Sequence, residues 1–555
     1  MIQLTGAQLI VRLLERQGVR TVAGVPGGAI LPFYDALSSS ELIRHVLARH
    51  EQGAGFMAQG MARVSGVPQV CIASSGPGAT NLVTAIADAC LDSIPMVVIT
   101  GQVPQAMIGT DAFQEVDIYG ITVPITKHNF LVRSAQELLE VVPDAFRIAM
   151  SGRPGPVLID VPKDVQNQLI SIEELPPPAV PDPTPALDLA AIEEAARMIN
   201  GAQRPVLYLG GGVVHSGAAP LAVQLAERAG LPTTMTLMAL GAMPMDHHLS
   251  IGMLGMHGAR YTNFVLEEAD VLICVGARFD DRAIGKAAQF CPRASIVHID
   301  VDRSELHKIK NAHVAIHADV NVALAALLPR IDPIIREAWL SKVADLKTRF
   351  PMQLPGIEDP RSHYGLIQAV ADALDDEAVI ATDVGQHQMW VAQAYPFRRP
   401  RQWLTSGGLG TMGFGMPTAI GAALAEPERT VVCFSGDGSF KMNIQELATL
   451  AEEGLNVKIV LMNNNALGLV YQQQTLFYGK RLFASKYRTE PDFVKIAEGF
   501  GVPAVDLDKA EDPRMALAEA LRAPGPCLIH ATIDREQFVY PMVPPGAANT
   551  EMIGG

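Results

Sequence analysis

The chain has 555 residues, a formal net charge of −15 at pH 7 and 49% hydrophobic residues. This composition excludes wholesale disorder, and the length predicts three or four domains. The acidic balance argues against a nucleic-acid-binding surface, which needs clustered Lys and Arg. It leaves anionic small ligands open, because local positive groups or helix N-termini can bind them.

The six cysteines lie far apart and form no C-x-x-C pair. They are therefore predicted to be buried thiols, not a disulfide framework or a zinc ribbon. Residues 1–5 have neither a basic segment nor an apolar core, which predicts no signal peptide. No apolar run reaches about 18 residues, so no membrane span is expected. We therefore expect a cytoplasmic protein that binds no membrane and no nucleic acid.

Short apolar strands alternate with glycine-rich turns and amphipathic helices along the chain. In one such unit, Val70–Ala73 runs into Ser74–Gly78, and apolar residues at helical spacing follow in Leu82–Leu91. This alternation is typical of parallel sheets covered on both faces. The predicted fold class is α/β, with three doubly wound parallel-sheet domains.

Two proline-containing segments divide the chain. Residues 174–185 hold six prolines in twelve positions, and residues 350–363 hold three more. Such segments are expected to be extended and exposed. The predicted division is a first domain at 1–172, a linker at 173–189, a central domain at 190–345, a second linker at 346–362 and a third domain at 363–555.

The first and third domains share a weak internal sequence similarity. Arg153–Asp160 and Ala523–His530 both read as a turn followed by a buried strand. Duplication of an ancestral domain and convergence on a common turn-plus-strand pattern are equally compatible with this similarity.

The most informative motif is Gly-Asp-Gly at 436–438, directly after an apolar strand at 431–435. A helix and a second strand at 457–462 follow and end in three asparagines at 463–465. In all, 24 residues separate the last glycine from the first asparagine. In a right-handed βαβ unit both strands end at the same sheet edge, where ligands bind.

Asp437 and Asn464 are therefore expected to face one pocket. Carboxylate and amide oxygens suit Mg²⁺ or Ca²⁺, and a single carboxylate is typical where phosphate oxygens complete the coordination. Alone, Gly-Asp-Gly more often marks a plain turn. The strand–helix–strand context favours a site for a metal and a diphosphate.

This combination is similar to the thiamin diphosphate motif of the decarboxylase and carboligase superfamily. Over its whole length the chain resembles the catalytic large subunits of acetohydroxyacid (acetolactate) synthases, most closely the bacterial isozyme I type. The resemblance implies decarboxylation of pyruvate on thiamin diphosphate. The hydroxyethyl unit is then condensed with pyruvate or 2-ketobutyrate, in valine, leucine and isoleucine biosynthesis. It also implies Mg²⁺, held by Asp437, Asn464 and the carbonyl of Ala466.

Glu51 follows a predicted strand at 42–48 and begins a helix. Taken alone, it is a charge that satisfies a helix N-terminus. The resemblance gives it another role, because the family's Glu at this position hydrogen-bonds the cofactor's pyrimidine nitrogen and favours the imino tautomer. The imino group then takes the proton from thiazolium C2, and the cofactor performs the carbanion chemistry.

The resemblance assigns further contacts to this cofactor. On the pyrimidine side they are Gly28, as an oxyanion donor, with Phe113 and Gln114 above the thiazolium. On the diphosphate side they are Val384 near the substrate, Gln386, His387 as a positioning donor, Gly410 through its carbonyl, Met412 as the wedge that bends the cofactor, Gly438 and Ser439.

Three apolar strands of the central domain end in small or polar residues, at Gly210–Gly212, Gly276 and Asp300. This pattern fits a doubly wound nucleotide site. Glycine and polar residues that merely end each strand at the start of a loop explain it equally well. The resemblance favours FAD, bound without a net redox role. The implied contacts are Arg153, Gly211, Thr236, Leu237, Met238, Gly255, Met256, His257, Gly276, Arg278, Asp300 and Asp319.

Two residues concern the second substrate. Arg282 follows two aspartates, and an ion pair with them is the simplest interpretation without the resemblance. In the family an Arg here recognises the incoming 2-ketoacid, and Met256 lines the same pocket. Gln473 stands where many members have a Trp that favours 2-ketobutyrate, so we predict little preference for that acid.

The resemblance implies at least a homodimer, with each active site between the first domain of one subunit and the third domain of another. It also implies a small regulatory subunit. An FAD-dependent pyruvate oxidase and a non-catalytic cofactor-binding subunit are the alternatives. The second is disfavoured because Glu51, Asp437 and Asn464 are all present, and glyoxylate carboligase is disfavoured because it lacks the Glu.

Overall fold

The computed structural model describes residues 2–554. Its first domain is built on a six-stranded parallel sheet in the order β3-β2-β4-β5-β7-β6, with an antiparallel β1–β8 pair beside it. In chain order the elements are β1 (Ile2–Thr5), α1 (Gly6–Arg16), β2 (Thr21–Gly24), α2 (Leu31–Leu37), β3 (Arg44–Leu47), α3 (Glu51–Ser65), β4 (Gln69–Ala73), α4 (Pro77–Asn81), α5 (Val83–Asp92), β5 (Met96–Gln102), α6 (Ile118–Thr122), β6 (His128–Leu131), α7 (Leu138–Met150), β7 (Pro156–Pro162), α8 (Lys163–Asn167) and β8 (Leu169–Ile172).

The central domain has its own six-stranded parallel sheet, in the order β11-β10-β9-β12-β13-β14. Its elements are α9 (Leu189–Gly201), β9 (Pro205–Leu209), α10 (Gly211–His215), α11 (Ala219–Ala229), β10 (Thr233–Met235), β11 (Ser250–Met253), α12 (Arg260–Glu268), β12 (Val271–Val275), α13 (Asp281–Ile284), β13 (Ser295–Asp300), β14 (Val314–His317), α14 (Val320–Leu327) and α15 (Glu337–Arg349). Residues 173–188 contain no helix or strand, whereas α15 covers the start of the predicted second linker.

The third domain repeats the plan with a parallel sheet in the order β16-β15-β17-β18-β20-β19. Its elements are α16 (His363–Ala373), β15 (Val379–Thr382), α17 (Gln386–Ala394), β16 (Trp403–Leu404), α18 (Gly415–Ala425), β17 (Val431–Gly436), α19 (Asp437–Phe440), α20 (Glu446–Glu453), β18 (Val457–Asn463), α21 (Gly468–Phe477), α22 (Phe493–Gly499), β19 (Ala504–Asp506), α23 (Pro513–Arg522) and β20 (Cys527–Thr532). The predicted α/β class, with three parallel-sheet domains, is confirmed.

The central strands are buried on both faces. Every residue of β5, β7 and β18 is buried, which explains why these strands read as continuous apolar runs without alternation. The first and third sheets also have the same strand order relative to the chain. The two similar segments form β7 and β20, which occupy the same place in their sheets. This shared topology favours duplication over convergence.

Helices α3 and α18 join the first and third domains through glycines. A Cβ on Gly60 would collide with the carbonyl oxygen of Thr418, and one on Gly421 would collide with that of Met57. Two helices can approach this closely only where neither carries a side chain at the crossing. The start of α3, which carries Glu51, is thereby held against the third domain.

Gly421→Ala is expected to lower the free energy of unfolding by about 1–3 kcal/mol, because the added methyl group overpacks this crossing. Urea denaturation of the purified chain measures the change. Gly499→Ala is the matched control, since it is also helical but has open space around its Cβ position. Alanine there should be neutral or slightly stabilising. Equal losses of unfolding free energy in both variants would contradict the conclusion that Gly421 is required for the close crossing of α3 and α18.

No helix within residues 2–554 is long and apolar enough to cross a membrane. All six cysteines are free thiols, and five of them are buried while Cys90 is partly buried.

Candidate cofactor and active sites

Strand order reverses between β15 and β17 in the third sheet, and ligands of open α/β sheets bind at such a point. The chain leaves β15 into residues 383–386 and leaves β17 into Asp437. Because β18 pairs with β17 in parallel, its end delivers Asn464 to the same edge. The predicted metal and diphosphate residues therefore share one crevice.

Asp437 lies in this crevice with its side chain 2% exposed. Burial raises the pKa of its carboxyl group, and the nearby Lys441 ammonium lowers it. Lys441 Nζ is 3.2 Å from Oδ2, whereas Oδ1 is buried without a hydrogen-bond partner among the described residues. A buried carboxylate oxygen without a partner is costly. Its oxygen chemistry fits the predicted Mg²⁺.

The loop after β18 is held from two sides. Asn464 Nδ2 donates a hydrogen bond to Gln386 Oε1 at 3.0 Å, which leaves the amide oxygen of Asn464 for another partner. Arg535 Nε donates to the carbonyl oxygen of Asn464 at 3.1 Å. The predicted third ligand is the carbonyl of Ala466, two residues after Asn464. The side chain of Ala466 is buried. Arg535 was not found from the sequence, because no motif surrounds it.

The remaining diphosphate-side residues line the same crevice. Ser439 Oγ donates to the carbonyl oxygen of Val384 at 2.6 Å, which ties the β17 loop to the β15 loop. A Cβ on Gly438 would lie 3.5 Å from Met412 Cε, so the predicted wedge stands over this glycine. Gly410 has open space around its Cβ position and a φ of +71°.

His387 is the first-turn histidine of α17 and is buried. Burial lowers its pKa to about 3, so the ring is neutral at pH 7. A Cβ on Gly436 would lie 2.8 Å from Nδ1, and Nε2 has no partner among the described residues. A neutral imidazole with one free nitrogen fits the predicted positioning donor better than a general base.

The pyrimidine-side residues meet at the loop after β4, next to the strand reversal between β2 and β4. Two glycines show how closely the chain segments approach here. A Cβ on Gly27 would lie 2.5 Å from Ser74 Cβ, and a Cβ on Gly76 would lie 2.8 Å from the carbonyl oxygen of Gln114. A Cβ on Gly78 would lie 3.3 Å from Glu51 Oε1. The structure thus brings Glu51, Gln114 and the turn of Gly28 to one edge.

Glu51 opens α3 and accepts a hydrogen bond from Asn81 Nδ2 at 2.9 Å. The turn before it is held by Glu446 of the third domain, whose Oε1 accepts from the backbone N–H of Arg49 at 3.0 Å. Burial raises the pKa of Glu446. The sequence does not indicate this contact, because the two residues are 397 positions apart.

The central sheet has the strand order of dinucleotide-binding domains, with its reversal between β9 and β12. The predicted glycines meet there. The N–H of Gly212 donates to the carbonyl of Gly276 at 3.0 Å, and a Cβ on Gly212 would lie 2.7 Å from the Gly276 Cα. A Cβ on Gly211 would lie 3.3 Å from that of Met238. Glycine at these positions lets the loops after β9 and β12 pack closely at the strand reversal.

Polar groups around this reversal also fit a nucleotide. Thr236 Oγ1 is buried without a partner among the described residues. Asp300 ends β13, and burial raises its pKa to about 6. Arg153 reaches the loop after β13 from the first domain, with Nη1 3.1 Å from Glu305 Oε1. Thr236 and Asp300 are therefore the stronger flavin candidates.

Several other predicted flavin contacts already have local roles. Asp319 caps α14 by accepting from the backbone of its second and third residues. Gly255 has a φ of +92° and donates its N–H to Asn263 Oδ1. His257 is buried, and burial lowers its pKa to about 4. Of the other three predicted contacts, Leu237 begins a short 3₁₀ turn after β10, Arg278 is half-buried after β12, and Met256 is half-buried.

Of the residues predicted near the substrates, Arg282, Gln473 and Phe113 lie at the surface of the single chain, whereas Val384 and Met256 are half-buried. Arg282 Nη1 is 4.0 Å from Met256 Sδ, so these two predicted neighbours do meet. The Arg282 side chain is 68% exposed and only 3.9 Å from Asp281. Gln473 is exposed on α21, and Phe113 is 87% exposed. No described contact joins Arg282 or Phe113 to Asp437.

Comparison with known families places this architecture in a defined class. Three family models match: the N-terminal TPP binding domain of thiamine pyrophosphate enzymes at residues 4–121, their central domain at 192–327 and their C-terminal TPP binding domain at 383–531. The fold is that of a thiamine pyrophosphate enzyme.

Curated relatives narrow the class further. The chain is 65% identical to the acetolactate synthase isozyme 1 large subunit of Escherichia coli K12, over 99% of this chain and 98% of that protein. It is 49% identical to the acetolactate synthase large subunit of Parasynechococcus marenigrum, over 99% and 91%. It is 46% identical to the chloroplastic acetolactate synthase 2 of Nicotiana tabacum, over 99% and 85%. The chain belongs to the acetolactate synthase large-subunit family.

Proposed function

We propose that the chain is the catalytic subunit of an acetolactate synthase. It binds pyruvate, which loses CO₂, and then a second 2-ketoacid that receives the remaining two-carbon unit. With pyruvate as acceptor the product is acetolactate, and with 2-ketobutyrate it is acetohydroxybutyrate, both precursors of branched-chain amino acids. When bound, thiamin diphosphate supplies the carbanion chemistry. Mg²⁺ and FAD complete the cofactor set.

The presence in one chain of both the Glu51 carboxylate and the Asp437 crevice carries this proposal. Asp437, Asn464 and the Ala466 carbonyl hold the metal, and Ser439, Gln386 and His387 orient the diphosphate. Glu51 holds the proton that must move on and off the pyrimidine ring, and Asn81 fixes its carboxylate. Gly28 and Gln114 face the reacting carbon from the first domain.

We infer that two copies of the chain build each active site. In one chain, Glu51 contacts the β4 loop, while Asp437 contacts the loops of the third domain. Large apolar side chains remain exposed next to the assigned residues in the chain: Phe113 precedes Gln114, Leu409 precedes Gly410, and Met442 follows Lys441. A second copy would cover them. We also infer a small regulatory subunit, since two of these relatives are named large subunits, and a cytoplasmic location, which suits six free thiols.

The central test uses purified chain with thiamin diphosphate, Mg²⁺, FAD and pyruvate. Acetolactate should form, with one CO₂ released per product and no oxygen consumed. Oxygen or quinone consumption in step with pyruvate would instead indicate a pyruvate oxidase. Failure to make acetolactate with all three cofactors bound would reject the catalytic proposal.

Gln473→Trp is expected to raise the preference for 2-ketobutyrate over pyruvate as acceptor. The indole ring adds an apolar wall for the extra methylene of 2-ketobutyrate, a contact worth about 1–3 kcal/mol, or roughly 10- to 200-fold in selectivity. Competition between equal concentrations of the two acids measures the ratio of products. The exposed neighbour Val470 on α21 offers a control, since Val470→Trp adds the same ring elsewhere. A wild-type chain that already makes mostly acetohydroxybutyrate would contradict the prediction.

A further inference from the structure

A buried charged cluster lies where the three domains meet. It consists of Arg63 on α3 and of Asp88 and Asp92 on α5, with side chains 5%, 0% and 1% exposed. Arg63 Nη2 donates to Asp92 Oδ2 at 2.8 Å and to Asp88 Oδ1 at 3.3 Å. One guanidinium cannot satisfy two buried carboxylates, so other donors are required.

The third domain supplies those donors from residues 405–414, a segment without helix or strand between β16 and α18. The N–H groups of Gly407 and Gly408 donate to Asp92 at 3.1 and 2.7 Å. Ser406 Oγ and Thr411 Oγ1 both donate to Asp88 Oδ2. With no ladder of its own, the segment takes its shape from these bonds. The segment itself contains Gly410 and Met412, which are predicted to contact thiamin diphosphate.

The central domain reaches the same segment. A Cβ on Gly407 would collide with Met238 Sδ, and Met238 packs beside Gly211 at the strand reversal. Arg401 ties the backbones together, since Nη1 donates to the Arg63 carbonyl at 3.0 Å and Nη2 donates to the Val214 carbonyl at 3.3 Å. Met238 therefore stands between the flavin crevice and the segment that Asp92 holds.

We propose that the cluster of Arg63, Asp88 and Asp92 couples the flavin site to the thiamin diphosphate site, so that filling one site tightens binding at the other. This rests on the cofactor assignment proposed above. A flavin that fixes Met238 also fixes Gly407 and Gly408 against Asp92. Thiamin diphosphate then meets an ordered segment and loses less conformational freedom on binding. Linkage requires the same factor in the reverse direction.

The test is a binding cycle on the full-length protein at fixed Mg²⁺. Calorimetry gives the dissociation constant of thiamin diphosphate for flavin-free and FAD-loaded protein. In the wild type FAD should tighten it by about 10-fold. Asp92→Asn replaces one of the two oxygens that accept the Gly407 and Gly408 N–H groups with an amide donor, and the difference should shrink to less than about 2-fold. Flavin fluorescence measures the reverse coupling, which should match.

Asp270→Asn is the matched control. Asp270 also accepts two consecutive backbone N–H groups, those of Gln203 and Arg204, but at the opposite end of the central sheet. It should keep the full coupling. If Asp92→Asn does not fold, Ser406→Ala removes one hydroxyl and should reduce the coupling to about 3-fold.

Equal thiamin diphosphate affinities with and without FAD in the wild type would overturn the coupling. Full coupling in Asp92→Asn, or in Ser406→Ala when it is the variant used, would overturn the role of the cluster. Both results leave the proposed function intact. A wild type that binds neither cofactor would instead reject the proposed function, so the two failures are distinct.

Discussion

Glu51→Gln is expected to lower kcat for acetolactate formation by about 10²- to 10⁴-fold, the range for loss of a positioned proton-transfer group. Glutamine keeps the shape and still accepts a hydrogen bond from Asn81, but its amide cannot take up or release the proton. Steady-state assays with saturating pyruvate, Mg²⁺ and cofactors measure the loss. Dissociation constants for thiamin diphosphate should change by less than about 10-fold, because one hydrogen bond is at stake.

The environment of Glu51 explains why the effect should fall on kcat. The residue opens α3, its Oε2 accepts from Asn81, and Glu446 holds the preceding turn through the Arg49 N–H. These contacts hold the carboxylate in place without a bound ligand. The substitution therefore removes the group that carries the proton and leaves the surrounding structure unchanged.

Glu41→Gln is the control, because Glu41 is an exposed carboxylate in the same domain. It should retain wild-type kcat. A Glu51→Gln variant with unchanged kcat would refute the catalytic assignment. If the variant lost its cofactors and its activity together, Glu51 would be a binding residue instead.

The three-domain α/β plan followed from local signals. Apolar strands such as β4 and β17 end in glycine turns, and parallel sheets buried on both faces require such runs. The strand orders did not follow, because they depend on which strands pair across long separations. Only the structure shows that the first and third sheets share one order while the central sheet has another.

The residues of the site also fall into those that local sequence signals predict and those that only the structure shows. Asp437 and Asn464 could be predicted to meet because one βαβ unit carries both. Glu446 could not, since its partner Arg49 lies 397 residues away. The contact of Asp92 with Gly408 spans 316 residues, so no local sequence pattern indicates it either. Motifs report chemistry that local chain geometry brings together, whereas contacts between domains are set by packing.

Asp437→Asn is expected to raise the Mg²⁺ concentration for half-maximal activity by about 100-fold or more, since even removal of outer-shell partners costs 10–100-fold. The buried carboxylate supplies the only protein charge in the predicted ligand set, and its Oδ1 has no other partner among the described residues. An amide keeps one oxygen and loses that charge. Activity measured against Mg²⁺, with thermal shifts on adding thiamin diphosphate and Mg²⁺ together, gives the change.

Asp345→Asn is the matched control, because Asp345 also faces a cation four residues along its helix but in solvent. It should leave the Mg²⁺ dependence unchanged. Lys441→Met separates a metal site from general damage, since the ammonium lies 3.2 Å from Asp437 Oδ2 and competes with a divalent ion for it. Its removal should lower the Mg²⁺ requirement while Asp437→Asn raises it. A shift in the same direction in both variants would mean that Asp437 supports the fold and does not bind the metal.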